Sequence, residues 1–273
     1  MPELPEVETV RRALAAHAAG RRVVAVEGTP VEMRRPLDPV RIASRMVDRT
    51  LAEPRRRGKY LLLDVEPDGS LLVHLGMSGR LMLQARDEPT LPHTHLRLRL
   101  DDDHELRLVD PRRFGLAWWL DPGDEACDPA LVQLGIEPLG GTLVARLPAL
   151  LKPRRAPLKS LLLDQRLVAG IGNIYANEAL WRAHIHPLRA PRRTSTARLE
   201  DLARAVEDVL GEAVAEGGTT IRDFASPEGN FGYFAVRLAA YGRGGLPCPR
   251  CHSPLRVAVL GARQTVWCPS CQR

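Results

Sequence analysis

Four cysteines crowd the end of the chain, as Cys248-x2-Cys251, then sixteen residues, then Cys268-x2-Cys271. Two thiolate pairs at this spacing suit tetrahedral closure on one Zn²⁺. Four protein ligands leave no open position, so such a metal is structural rather than catalytic. The pattern dictates local shape. The residues between the pairs, RVAVL-GA-RQTVW, read as a two-stranded hairpin turning at Gly261-Ala262, a ribbon too small to hold its form without the metal. His252 competes as a ligand by residue type and otherwise reads as a surface histidine. Arg263 lies at the hairpin tip, where it is either a solvated turn residue or a side chain that probes a DNA groove. The fifth cysteine, Cys127, stands alone and reads as a small core residue or an inert thiol.

The chain has 273 residues, which favours two domains over one, and a formal net charge of +6, a modest pointer to a polyanionic partner. No secretory segment follows Met1 and no apolar run approaches the length of a membrane span, so a cytoplasmic protein without membrane association is expected. In that setting clustered cysteines point to metal before disulfide.

The N-terminal stretch MPELPEVET predicts a helix. Pro5 suits its first turn, Glu6 and Glu8 complement its positive end, Val7, Val10, Ala13 and Leu14 share one face, and Gly20 closes it. From residue 22 to 120 the texture is β. KYLLLDV (59–65) and LLVHL (71–75) flank a Pro-Asp-Gly turn, HLRLRL (95–100) alternates and is expected to pair with ELRLV (105–109), and LAWWL (116–120) adds another strand. Short strands at this spacing predict a sandwich or barrel-like sheet pair. After Asp121 the pattern becomes helical, with short pieces near 131–134, 147–151 and 158–166, a helix over 173–182, and a long one whose buried face runs from Leu199 to Val214 before Gly217-Gly218.

Four further stretches invite a functional reading. AGIGNIYANEAL sets Gly170 and Gly172 before a helix start, where free N–H groups favour a phosphate, with Lys152, Arg154, Arg155, Lys159 and Arg166 around it. It lacks the strand and third glycine of a dinucleotide fingerprint, and a helix–turn–helix gripping a DNA phosphate fits its surroundings better. HLGMSGR (74–80) and DPRRFG (110–115) are turns within the β region that hold Met77, Arg112, Arg113 and Phe114. Met77 and Phe114 either pack inward beneath their turns or form an apolar wedge beside arginines, the device that kinks a duplex and replaces a base. RRRGKY (55–60) is a solvated basic face or a phosphate contact, with Lys59 of further interest if it points into a cleft.

Taken in order, PELPEVET, GKYLLL, HLGMSG, DPRRFG, GIGNIYANE, GGTT, GYFAV, YGRGG and the terminal cysteine pairs resemble the bacterial formamidopyrimidine-DNA glycosylases of the helix–two-turn–helix superfamily, over essentially the whole chain. ELPEVE favours this purine-lesion branch over the endonuclease VIII-like branch. The resemblance implies an α+β multidomain fold: an N-terminal helix and β-sandwich over residues 1–127, a helical helix–two-turn–helix domain over 128–238, and a zinc-ribbon finger over 239–273. It implies a monomer acting on double-stranded DNA that contains oxidised bases, with one structural Zn²⁺ and no nucleotide cofactor.

The resemblance also implies the chemistry. With Met1 removed, Pro2 is the terminal secondary amine, with a pKa of about 8 that leaves a useful unprotonated fraction near neutrality. Pro2 would be the nucleophile at the sugar C1′, Glu3 the general acid, Glu6 a supporting carboxylate, Lys59 the residue serving β-elimination, and Arg263 the residue serving δ-elimination or gripping the phosphate. Met77, Arg112 and Phe114 would fill the gap left by the extruded base, with Arg112 reading the opposite cytosine. His93, Arg113, Arg154, Lys159 and Asn173 would hold phosphates. A loop including Thr219, Thr220, Ile221, Arg222 and Tyr233 would close over the flipped base. The chain departs from the family pattern at Gln264, Trp267, Asn230-Phe231 and His252, the last standing where glycine is common. These changes leave the reaction type in place and bear on lesion preference. Two rivals are the same chemistry on oxidised pyrimidines, and a non-catalytic zinc-ribbon protein that senses damaged DNA.

Overall fold

The computed structural model describes residues 2–67, 69–218 and 238–273. Among these the chain divides into two compact units, one ending at Val132 and one beginning at Gln133. The residues 219–237, which hold the expected base-capping loop with Thr219, Thr220, Ile221, Arg222 and Tyr233, lie outside the described residues.

The first unit opens with α1 (Leu4–His17). Val7, Val10 and Leu14 recur at helical spacing and are buried, as the sequence predicts, while Gly20, at φ 79°, turns the chain after the helix. Eight strands follow: β1 (Val23–Gly28), β2 (Arg55–Arg57), β3 (Tyr60–Val65), β4 (Gly69–His74), β5 (Arg80–Ala85), β6 (Thr94–Leu100), β7 (His104–Val109) and β8 (Leu116–Leu120). They form two antiparallel four-stranded sheets, ordered β1-β6-β7-β5 and β2-β3-β4-β8. Alternation sets the inner faces: Leu96, Leu98 and Leu100 of β6 point into the same core as Leu61, Leu63, Leu71 and Val73 of the other sheet, joined by Val7 and Leu14 of α1. The expected pairing of 95–100 with 105–109 is present, with Leu98 opposite Leu106.

One element interrupts the β texture expected from residue 22 to 120. Helix α2 (Pro39–Met46) starts at Asp38, whose carboxylate accepts the Arg41 N–H at 2.9 Å, with Pro39 in its first turn. Pro39, Ile42 and Met46 form a narrow buried stripe in an otherwise polar segment, and such a stripe is faint in sequence. A short helix α3 (Pro129–Val132) ends the unit.

The outward face of β7 carries Arg107, which is 0% exposed. Its guanidinium pairs with buried Glu105 and donates to the carbonyls of Ala85, Glu88 and Pro89, clasping the segment that leads to His93.

In the second unit, α4 (Leu143–Leu151), α5 (Leu158–Leu163), α6 (Asn173–Arg182) and α7 (Thr196–Ala215) pack around Leu147, Leu162, Tyr175, Leu202 and Leu210. The helix expected over 173–182 has those bounds. Strands β9 (Arg256–Leu260) and β10 (Arg263–Trp267) form the expected hairpin, and its two turn residues, Gly261 and Ala262, have φ of 56° and 58°, as a two-residue turn between twisted strands requires. Among the described residues no helix is long and apolar enough to cross a membrane.

Arg107→Met strips a buried carboxylate of its closest partner and frees three carbonyls, which should cost about 3–5 kcal/mol. Urea unfolding measures this; an unchanged midpoint would show that the clasp contributes nothing.

Candidate active site

The start of the chain is held by its own first helix. Glu3 is the N-cap of α1, in extended conformation, and the Glu6 carboxylate accepts its backbone N–H at 2.8 Å, the return arm of a capping box. Both carboxylates are buried at 2% exposure, and Pro2 is half-buried beside them. Buried acids one helical turn apart, at the end of a chain, exceed what helix capping needs.

Lys59 sits in the tight turn between β2 and β3, after Gly58 at φ 57°, and is buried. Two arginines of the basic run before it, exposed Arg55 and half-buried Arg56, are held by acids. Arg55 pairs with Asp64 and Glu125, while Arg56 donates to Glu8 Oε2 at 2.9 Å and to the Gly58 carbonyl at 3.0 Å. Arg56 thereby ties the turn carrying Lys59 to the helix carrying Glu3 and Glu6. Glu8 is opposed by burial, yet hydrogen bonds from Arg11 and Arg56 hold its carboxyl below the usual range, so the tie is charged near neutrality.

His74 ends β4 opposite Tyr60, their rings 4.7 Å apart. It is buried, and its Nδ1 accepts the Gly76 N–H at 2.9 Å. Burial, with the charges of Arg34 and Lys59, pushes it down to about 3, so the ring is neutral at physiological pH with its proton on Nε2. The sequence marks His74 only as the first residue of HLGMSGR; its burial beside Lys59 is a tertiary fact.

The two turns singled out in sequence lie together. Met77 and Phe114 point outward at 45% and 44% exposure, which removes the reading that they pack inward. The Arg112 guanidinium lies 4.6 Å from the Phe114 ring centroid, and Arg113, at φ 57°, is exposed beside them. His93 is exposed at φ 66°.

The second unit gathers the other candidates. Gln165 stitches the glycine turn: its Oε1 accepts the Gly170 N–H at 2.9 Å and its Nε2 donates to Ile171 O at 2.8 Å. Asn173, first residue of α6, donates through Nδ2 to Gln264 O at 3.0 Å. Lys159 departs from the sequence expectation of a phosphate ligand. It is 0% exposed, and its ammonium donates to Gln264 O at 2.8 Å and Thr265 Oγ1 at 2.7 Å. Asn177 Oδ1 accepts the Val266 N–H at 2.9 Å. Three side chains from α5 and α6 thus grip the start of β10, next to exposed Arg263. Because Gln264 is used through its carbonyl, its departure from the family pattern changes nothing in this grip. Arg154, three residues beyond α4, is exposed.

The four cysteine Sγ atoms lie within 4.8 Å of one another, and Cys251 and Cys268 Sγ are 3.4 Å apart. Tetrahedral Zn²⁺ with Zn–S near 2.3 Å requires S···S separations of about 3.8 Å, so the set fits one ion. Hydrogen bonds from Ser253 draw Cys251 down to about 6, so a thiolate is available near neutrality, while burial and the neighbouring thiols push Cys271 up to about 12. Four thiolates at this spacing repel unless a metal sits among them. Among the described residues this is the one metal-capable cluster, and His252 is no part of it. His252 instead has φ 61°, the left-handed conformation that makes glycine common there. Cys248, Cys251, Cys268 and Cys271 hold one structural zinc, which fixes the ribbon.

A histidine held neutral by folding binds its proton more readily when unfolded. Between pH 6.5 and about 3 the unfolded state carries the extra proton, so His74 removes stability as pH falls through that window, by up to about 1.4 kcal/mol per pH unit. In urea unfolding, His74→Gln should show a shallower acid loss than the parent over this range. Parallel curves would contradict the assignment.

Residues 1–117 match the family model of the formamidopyrimidine-DNA glycosylase N-terminal domain, 134–225 that of the same glycosylase's H2TH domain, and 245–273 the zinc finger found in FPG and IleRS. A formamidopyrimidine-DNA glycosylase of Stenotrophomonas maltophilia is 47% identical over 278 residues, covering 100% of both chains. Among solved structures, the MutM (Fpg) protein of Thermus thermophilus is 43% identical with a TM-score of 0.86, covering 99% of this chain and 98% of that one. The wild-type Lactococcus lactis Fpg (MutM), in complex with a N7-benzyl-Fapy-dG containing DNA, is 32% identical with a TM-score of 0.90, covering 100% of both chains. With this agreement in sequence, domain order and fold, the chain belongs to the formamidopyrimidine-DNA glycosylase family.

Proposed function

We propose that this protein is a bifunctional base-excision repair enzyme that removes 8-oxoguanine and formamidopyrimidines from duplex DNA and then cuts the abasic strand by β,δ-elimination. It is a DNA glycosylase by family, with the lyase activity that belongs to that family. The observation that carries the residue assignments is the pinned terminus, where two buried carboxylates lie beside Pro2, with the Lys59 turn tied to the same helix.

In this reading Met1 is removed and the Pro2 nitrogen attacks the sugar C1′. The C1′–N bond to the base breaks, the base leaves with a proton, and Glu3 protonates the ring oxygen as the sugar opens. The product is an iminium, because a secondary amine keeps its nitrogen positively charged once doubly bonded to carbon. That cation acidifies the C2′ hydrogen. Its removal, assisted by Lys59, expels the 3′ phosphate; a second elimination, assisted by Arg263, expels the 5′ phosphate. Glu6 holds the Glu3 backbone and places negative charge near the iminium. Met77, Arg112 and Phe114 enter the gap left by the base, supported by their exposure and by the stacking of Arg112 on Phe114. His93, Arg113, Arg154 and Asn173 hold phosphates, and the segment from Thr219 to Tyr233 covers the flipped base. Lys159 is assigned to the ribbon grip instead. The enzyme acts as a cytoplasmic monomer without a nucleotide cofactor.

Duplexes carrying 8-oxoguanine opposite cytosine and thymine glycol opposite adenine, offered in competition, separate this reading from its nearest rival. Preferential cutting of the 8-oxoguanine strand, lost in Glu3→Gln, is expected. Preferential cutting of thymine glycol would assign the chain to pyrimidine lesions, and no cutting of either would leave a damage-binding protein.

A further inference from the structure

Asp110 precedes the arginines and phenylalanine that draw attention in DPRRFG, and it is 0% exposed. Its carboxylate serves donors from two separate turns. Oδ1 accepts the Ser78 hydroxyl at 2.9 Å and the Arg112 N–H at 3.3 Å, while Oδ2 accepts the Gly115 N–H at 2.8 Å. The backbone is bound as well: the Asp110 N–H donates to His93 O at 3.0 Å, and its carbonyl accepts from His95 Nε2 at 2.9 Å and from the Arg113 N–H at 3.3 Å. One buried residue therefore reaches the turn of Met77, the turn of Arg112 and Phe114, and the carbonyl of His93.

The two turns also touch directly. Gly76 has φ 62°, and a Cβ there would lie 2.4 Å from the Phe114 carbonyl carbon. A Cβ on Gly115 would lie 3.0 Å from Asp110 Oδ2. A lone β-turn does not require a fully buried carboxyl group, since a polar group without water is costly unless it is well hydrogen-bonded. Three donors drawn from two loops meet that cost and lock the loops in one register.

We infer that Asp110 is the positioning residue that makes Met77, Arg112 and Phe114 a single rigid wedge, and that discrimination of the base opposite the lesion depends on this coupling. The inference rests on the wedge assignment proposed above. Asp110 itself is fully buried and offers no surface to a duplex. Loops that move independently would insert Phe114 without holding Arg112 against the opposite base, giving unstacking with poor selectivity.

The test uses the full-length zinc-loaded protein and duplexes with 8-oxoguanine opposite cytosine or adenine, some bearing 2-aminopurine beside the lesion. All signals are normalised to the fraction of molecules that borohydride can trap. Phe114→Ala reports on the wedge itself and should abolish the 2-aminopurine fluorescence rise. Asp110→Asn keeps one acceptor oxygen but turns an amide N–H₂ toward a donor. It should lower the cytosine-over-adenine ratio in kcat/KM about tenfold. Ser78→Ala cuts only the tie to the Met77 turn; it should lower the ratio in the same direction and tests the coupling even if Asp110→Asn fails to fold. A merely structural Asp110 would lower the melting temperature and leave the normalised ratio at the parent value, which overturns the inference. Phe114→Ala with an unchanged fluorescence rise would instead overturn the wedge assignment, and the coupling with it.

Discussion

The proposed reacting end of this molecule is pinned by a capping box, in which the Glu3 backbone N–H donates to the Glu6 carboxylate. A chain terminus is ordinarily the least ordered part of a fold. Here a helix begins at Leu4, so only two residues precede it after Met1, and the second of them is fixed by the helix's own third position. With Val7 and Leu14 sunk in the sandwich core, the terminus is anchored to the packed core of its unit. A nucleophile built from a terminal amine needs this, since an untethered amine would lose the benefit of orientation. Burial of both carboxylates adds proximity in a weakly screening environment, where a developing iminium gains most from fixed negative charge.

The same principle recurs in the supports. Arg56 connects Glu8 to the Gly58 carbonyl and so relates the Lys59 turn to α1. In the second unit Lys159, Asn173 and Asn177 hold the first residues of β10, while the cysteine cluster fixes the other end of the ribbon. Exposed groups given a proposed role, such as Arg263, Arg112 and Phe114, stand on backbone that buried polar side chains hold. Those buried groups are satisfied by several partners each, the condition under which burying them stabilises rather than weakens a fold.

Local signals were legible in the sequence wherever the physics was local. The cysteine spacing, the Gly261-Ala262 turn, the alternation of 95–100 and the helix over 173–182 each depend on residues close together in the chain, and each is present. Helix α2 was hidden because its buried stripe is only Pro39, Ile42 and Met46 among polar neighbours. Lys159 looked like a phosphate ligand because a lysine near a glycine turn and a helix start has the right charge; its actual acceptors lie 105 and 106 residues away. Asp110 was overshadowed by the arginines after it, and only the packing of one turn on another shows why an acid stands there. His252 is the reverse case: an odd residue in sequence whose backbone angle accounts for glycine being common there, while nothing in the structure explains the histidine.

The central claim is that the terminal nitrogen of Pro2 is the nucleophile. Sodium borohydride reduces an iminium to a stable amine, so reaction of the mature protein with an 8-oxoguanine duplex in its presence should yield a covalent protein–DNA adduct. Peptide mapping by mass spectrometry should place the sugar remnant on the Pro2 nitrogen, and a chain that retains Met1 should yield no adduct. A remnant mapped to Lys59 or another lysine, or equal trapping by the Met1-bearing chain, would contradict the account.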